Sequence, residues 1–120
     1  MNIRKLTADE VEFSFDIESD DIPVRGSFAS GDNKLDKELE DDIIKRVNGG
    51  DILSWCCAKV TAEWEGHKGH AYLGGCSYDS YADAEKDLFE NMKDEALDAL
   101  NGNIEFKCKQ ARTLLDCFVQ

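Results

Sequence analysis

The chain has 120 residues, with 26 Asp plus Glu against 14 Lys plus Arg, and a formal net charge of −12. Hydrophobic residues make up 42% of it, which favours one compact domain over residues 1–120 and disfavours wholesale disorder. No run approaches the ~20 apolar residues that span a bilayer, and residues 1–7 lack the apolar stretch of a signal peptide. We therefore expect a soluble, cytoplasmic protein. Its acidic excess disfavours direct binding to nucleic acid or to anionic lipid, since both would repel it.

The first predicted element is a hairpin. Val11, Phe13, Phe15 and Ile17 alternate with polar residues, as in a half-buried strand. After turn-forming residues at 19–21, Ile22, Val24 and Phe28 resume the alternation, and Gly26 interrupts it. Pro23 suits the start of an edge strand, where a missing donor is tolerated.

A helix is predicted to follow from Asp32. Its apolar residues recur at intervals of four: Leu35, Leu39, Ile43 and Val47. Asp or Asn at the entry supplies an N-cap, and Gly49 with Gly50 ends the helix.

A second hairpin is predicted over residues 52–78. On its first strand Cys56, Ala58, Val60, Ala62 and Trp64 share one face, and Trp55 lies on the other. Residues 66–69 form the turn, and the returning strand is kinked at Gly74 and Gly75. An exposed Trp55 would be a binding anchor, unless a C-terminal helix covers that face of the sheet.

The last part of the chain is predicted to be helical. Ser80 offers an N-cap for a stripe at 84, 88, 92, 96 and 100, and Gly102 ends this helix. Ile104, Cys108, Ala111, Leu115 and Phe118 then recur at a 4-3-4-3 spacing, which predicts an amphipathic C-terminal helix, with a strand over 104–107 as the alternative for its first turn. The predicted fold is α+β, with a mainly antiparallel four-stranded sheet of two hairpins and two to three helices in the order ββαββαα.

The cysteines and histidines allow two interpretations. Cys56, Cys57, His67, His70 and Cys76 lie within 21 residues, and thiolates and imidazoles are zinc ligands. Their spacing does not fit the paired ligands of structural zinc sites, and adjacent cysteines on a strand point to opposite faces. We therefore favour reduced core thiols for all five cysteines, Cys108 and Cys117 included, and predict no metal and no cofactor.

The charge pattern defines two acidic surfaces. Residues 1–102 hold 24 of the 26 acids and 11 of the 14 bases. We expect the acids of the first helix to lie on its solvent side and to contact a partner, with those of the second helix as a further set: Asp36, Glu38, Glu40, Asp41 and Asp42, then Asp83, Asp87, Glu90 and Asp94. Carboxylates four residues apart are separated by ~6 Å along a helix, the same order as the spacing of nucleic-acid phosphates. A solvated face that keeps the protein soluble would show the same pattern.

Four segments carry a resemblance: 24–32 (VRGSFASGD), 41–46 (DDIIKR), 55–64 (WCCAKVTAEW) and 72–78 (YLGGCSY). Over residues 24–100 the chain resembles small uncharacterised proteins of bacteriophages, prophages and plasmids. The resemblance implies a mobile-element origin, and it transfers no catalytic residue. Acidic proteins of such elements include anti-CRISPR and anti-restriction inhibitors, some of which mimic DNA.

The function expected from the sequence is that of a non-enzymatic inhibitor. Its acidic surface, with Trp55, would block a host protein or complex that has a basic nucleic-acid-binding surface, without contacting nucleic acid or membrane. One alternative is a zinc- or thiol-dependent module at the cysteine and histidine cluster. Another is a homo-oligomeric accessory protein of a mobile element, a homodimer for example, with its interface on the C-terminal helix.

Overall fold

The structure, a computed structural model, describes residues 4–20, 23–26, 28 and 30–118. It contains three strands and two long helices: β1 (Glu12–Ser19), α1 (Asn33–Asn48), β2 (Cys56–Trp64), β3 (His67–Cys76) and α2 (Tyr81–Phe118). Short 3-10 helices precede β1 and β2 at Ala8–Glu10 and Ile52–Ser54. The α+β class is thus confirmed.

The described residues form one sheet of three strands in the order β1-β2-β3. The Asp20 N–H donates to Trp55 O at 3.4 Å, which places the end of β1 beside the start of β2 and makes this pair antiparallel, as β2 and β3 are. The predicted four-stranded sheet and the order ββαββαα are therefore wrong.

The missing strand is the second strand of the first predicted hairpin. Among its described residues, 23–26 form a bend and a turn, in which Gly26 has φ +85°. The N–H of Gly26 donates to the Glu40 carboxylate of α1, so the backbone here bonds to a helix side chain and not to a neighbouring strand. Ile22, which was also assigned to this strand, lies outside the described residues.

The second hairpin is present, with a tighter turn than predicted. Glu65 and Gly66 both have positive φ, +47° and +81°, as in the two-residue turns that match the twist of paired strands. Residues 67–69 therefore belong to β3 and not to the turn. Register is fixed by this turn and brings Thr61 opposite His70.

Contacts divide the chain into two compact units. The first comprises residues 1–14, 60–71 and 91–120, and in it Gly69 of β3 lies against the α2 backbone at Ala96 and Leu100, both fully buried. The second comprises residues 15–59 and 72–90. In it the Phe15 ring packs against Tyr81 and Phe89, with ring centroids 5.6 and 5.7 Å apart. That residues 1–120 form one domain stays a prediction.

Helix α2 begins where the sequence predicts, since Ser80 Oγ accepts from the Asp83 N–H at 3.2 Å. It does not end at Gly102, and the two predicted C-terminal helices are one. A glycine inside a helix costs only about 1 kcal/mol relative to alanine, which is too little to end the helix here. No helix in the described part of the chain is long and apolar enough to cross a membrane.

Candidate functional site

Helix α1 is tied to the loop before it by Asp36. This side chain is 8% exposed, and it accepts hydrogen bonds from Ser30 N at 3.1 Å and from Ser30 Oγ at 2.7 Å. The N-cap Asp32 accepts from the N–H groups of Lys34 and Leu35. One face of the first turn is therefore occupied by internal hydrogen bonds.

Glu40 makes the second connection to this loop. It is also 8% exposed, and it accepts from Gly26 N at 2.9 Å and from Arg25 Nη1 at 3.4 Å. Arg25 also pairs with Asp41, and the two carboxylates raise the pKa of its guanidinium. Asp36 and Glu40 do not lie on the solvent side of α1, contrary to the sequence-based expectation, because the loop donors hold them inward.

Holding these carboxylates inward turns two leucines outward. Leu35 is 46% exposed and Leu39 is 43% exposed. Glu38 and Asp42 are exposed beside them, and neither makes an ion pair or hydrogen bond with another described side chain. At helical spacing these four residues share one face. We call this face (Leu35, Glu38, Leu39 and Asp42) the α1 surface.

The sequence pattern does not reveal Leu35 and Leu39 as surface residues, because their spacing assigns them to the core. Only Ile43 of the predicted apolar stripe is buried, and Val47 is 37% exposed. A signal was present: Asp36 and Glu40 lie seven and three residues before Ile43, on the same face of the helix, and loop donors from Arg25 to Ser30 precede them. Acids on the buried side of a helix require such partners.

The acids of α2 lie where the sequence predicts. Asp83, Asp87, Glu90 and Asp94 are all exposed, on the side of the helix opposite the buried residues Ala84, Leu88, Met92, Ala96 and Leu100. Their 4-3-4 spacing keeps them on one face. We call these four residues the α2 stripe. The Tyr78 hydroxyl donates to Asp87, so this carboxylate also has an internal role.

Trp55 is not an exposed anchor, contrary to one of the two interpretations of its position. It is 7% exposed and packs against Phe28, with ring centroids 6.0 Å apart. A Cβ added at Gly75 would lie 3.5 Å from the Trp55 ring. This tryptophan is part of the core of its unit, and the loop residue Phe28 covers it.

The cysteines divide into buried and exposed thiols. Cys56 and Cys76 are buried, and desolvation, with Cys76 nearby, raises the pKa of Cys56 to about 11. Burial also raises the pKa of Cys57 and Cys76, which disfavours a thiolate nucleophile. Cys108 and Cys117 are exposed, so assigning all five to the core is wrong for these two.

Each of the two histidines contacts side chains of other residues in the fold. His70 Nδ1 lies 3.0 Å from Thr61 Oγ1, and His67 stacks on Trp64 while its Nδ1 accepts from Lys107 Nζ at 3.1 Å. Within the described residues, no group of three His, Cys, Asp or Glu side chains is arranged to hold a metal ion.

An acidic pocket of about 250 Å³ lies in the first unit. It is lined by Glu10, Glu12, Glu63, Trp64 and Glu65. Glu10 is paired with Arg4 at 2.7 Å and accepts from Thr7. Hydrogen bonds from Arg4, then from Thr7, lower the pKa of Glu10 to about 2. Part of this pocket's charge is therefore neutralised internally.

Comparison with protein-family models, with curated proteins and with solved structures finds no match. A functional argument therefore depends on the chain's own residues. Three of the predicted contact residues are buried: Asp36, Glu40 and Trp55. The others are exposed, namely Glu38, Asp41 and Asp42 on α1 and the four residues of the α2 stripe.

Proposed function

We propose that the protein is a non-enzymatic binding protein whose α1 surface docks on a basic, nucleic-acid-binding surface of a partner protein. The observation that carries the proposal is the outward position of Leu35 and Leu39 between the carboxylates of Glu38 and Asp42.

A solvated helix face does not account for the α1 surface. A helix that only needs to remain soluble turns its leucines inward and its acids outward. On α1 the reverse holds over two turns, because Asp36 and Glu40 are buried while Leu35 and Leu39 are exposed. Local patterning that is broken in this way is expected at functional surfaces, and apolar centres with polar rims are typical of protein interfaces.

Charge defines the chemistry of the partner. The net charge is −12, and Glu38 and Asp42 make no ion pair with described residues. Lysine or arginine on a partner would therefore supply the missing counter-charge, and long-range attraction would speed the encounter. The α2 stripe adds to the negative field along a second helix.

The specific form of the proposal is an inhibitor of a host defence complex of the CRISPR or restriction type. Such complexes hold nucleic acid in grooves lined by basic side chains, and an acidic helix that occupies the groove would exclude the nucleic acid. This form follows from the acidic charge and from the mobile-element origin expected from the sequence, and the α1 surface would supply its contact residues.

Affinity capture with competition tests the proposal. The wild-type chain, immobilised, is expected to retain a partner from a host-cell lysate, and added duplex DNA or RNA is expected to release it. The double variant Glu38→Lys/Asp42→Lys is expected to lose the partner. Retention by this variant, or a partner that neither nucleic acid displaces, would overturn the proposal.

A matched control separates local contact from overall charge. Asp16 and Glu18 are exposed on β1, and Asp16→Lys/Glu18→Lys changes the net charge by the same amount. We expect the control to retain the partner at moderate salt, because a change in net charge alone acts through the long-range field, which is screened over ~10 Å at 0.1 M ionic strength. Equal loss in both variants would mean that α1 is not the contact.

A further inference from the structure

The C-terminal part of α2 lacks the packing that stabilises the rest of this helix. Residues 106–118 are exposed on every side, and Leu115 and Phe118 are 62% and 84% exposed. Thirteen residues without tertiary packing are marginal as a helix in water. A regular helix with large apolar side chains on it is therefore expected to be covered by another surface.

The spacing of its apolar residues indicates what covers it. From Ala84 to Leu100 the buried residues recur every four positions, as on a helix packed within its own chain. From Ile104 to Phe118 the spacing becomes 4-3-4-3, an average of 3.5 residues, which is the period of a coiled coil. Five residues form this seam: Ile104, Cys108, Ala111, Leu115 and Phe118.

We propose that this seam is a homodimer interface, in which residues 104–118 of two copies pack as an antiparallel helix pair. Seam residues would then meet across the two-fold axis as Ile104 with Leu115 and Cys108 with Ala111. The directly paired stretch, Ile104 to Leu115, extends over ~17 Å at 1.5 Å per residue, and Phe118 lies beyond it. The same surface patch serves both copies, as a two-fold interface requires.

The flanking charges select the antiparallel orientation. In a parallel pair, positions five residues apart on opposite sides of the seam approach each other, which would bring Lys107 of one copy to Arg112 of the other. In the antiparallel pair Glu105 faces Arg112, twice by symmetry. Glu105 also pairs with Lys109 on its own helix at 3.1 Å, whereas Arg112 has no ion pair among the described residues.

Light scattering of the 120-residue chain over a range of concentrations tests the seam. We expect a concentration-dependent monomer–dimer equilibrium, and we expect Leu115→Gln to raise its dissociation constant by at least about tenfold. Phe106→Gln is the matched control, because both side chains are 62% exposed and Phe106 lies on the opposite side of the helix. A chain that stays monomeric, or equal weakening by the two variants, would overturn the proposal. Circular dichroism verifies that each variant is folded.

Charge reversal tests the orientation. Arg112→Glu places two acids together in the antiparallel pair and is expected to weaken the dimer, while in a parallel pair it would relieve repulsion and strengthen it. The double variant Glu105→Arg/Arg112→Glu is expected to restore wild-type affinity. A stronger dimer with Arg112→Glu, or no rescue by the double variant, would contradict the antiparallel arrangement.

Two exposed cysteines provide an independent readout. Cys108 lies in the seam and Cys117 lies outside it, and both are exposed in the single chain. Alkylation of Cys108 is therefore expected to slow as protein concentration rises, while that of Cys117 stays constant. If the ratio of the two rates does not change across the dimerisation range, the seam is not the interface.

Discussion

Gly69 of β3 lies directly against Leu100 of α2. A Cβ at position 69 would lie 2.5 Å from Leu100 Cα and 2.6 Å from Ala96 O, distances that a real side chain does not adopt. Small residues on the same part of the hairpin, Ala62 and Ala71, are also almost fully buried. The absence of a side chain at Gly69 thus sets how closely the helix approaches the sheet in this unit.

Gly69→Ala is expected to destabilise the protein by about 3 kcal/mol, because the helix backbone must move and a packed core resists added volume. The matched control is Gly102→Ala in α2, where an added Cβ meets no atom within 4 Å. This control is expected to stabilise the helix by about 0.5–1 kcal/mol. Chemical denaturation measures both variants, and a neutral Gly69→Ala would contradict the close approach.

A second prediction separates the inward and outward acids of α1. Asp36→Ala leaves the Ser30 N–H and hydroxyl without their acceptor and is expected to cost about 1–3 kcal/mol. Glu38→Ala, two residues away and exposed, is expected to change the free energy of unfolding by less than about 0.5 kcal/mol. Similar unfolding midpoints for the two variants would show that Asp36 does not hold the loop.

The sequence predicts those elements whose determinants are local. The N-cap Asp32, the stop at Gly49 and the alternation from Cys56 to Ala62 each act within a few residues, and the structure has these elements where they were expected. The face of α1 could not be predicted in this way. It depends on donors at Arg25, Gly26 and Ser30, and hydrogen bonds between a loop and a helix leave no periodic pattern.

The position at which α2 ends could not be predicted from the local sequence either. Gly102 is a common helix-ending residue, but its penalty inside a helix is only about 1 kcal/mol, and the Asn101 and Asn103 side chains beside it donate to the backbone oxygens of Leu6 and Lys68. The sequence also left open whether the Trp55 side chain is exposed, because it is covered by Phe28, whose position depends on the tertiary fold. Of the five α1 acids expected to contact a partner, Glu38, Asp41 and Asp42 are exposed as predicted, whereas the loop donors hold Asp36 and Glu40 inward.

Acid titration of Glu10 tests the Arg4 pairing. The folded pKa of about 2 lies below the ordinary 4.5, so the charged form contributes to stability above about pH 4.5, and this contribution is lost as the pH falls toward 2. Arg4→Gln is expected to raise the pKa of Glu10, while hydrogen bonds from Thr7 keep it below 4.5. Lys5→Gln, the control, is expected to leave it near 2. Carboxyl-carbon NMR measures both, and an unchanged value in Arg4→Gln would exclude the pairing.

The exposed leucines of α1 are expected to slow dissociation of the complex with the captured partner. Leu39→Ser removes apolar contact area and is expected to speed dissociation from the captured partner by about tenfold, with little change in association, because short-range packing acts on the off-rate. Unfolding midpoints are expected to stay close to wild type, since Leu39 is 43% exposed. Surface plasmon resonance measures the rates, and an unchanged off-rate would remove Leu39 from the interface.

The most direct test of the α1 surface is the association rate with the captured partner at low and high salt. Glu38→Lys/Asp42→Lys is expected to slow association by at least about tenfold at low salt, with the difference shrinking as salt rises, because screening weakens the steering. The charge-matched control Asp16→Lys/Glu18→Lys is expected to show a much smaller change. An α1 variant that associates at the wild-type rate, or a control that slows equally, would contradict the account.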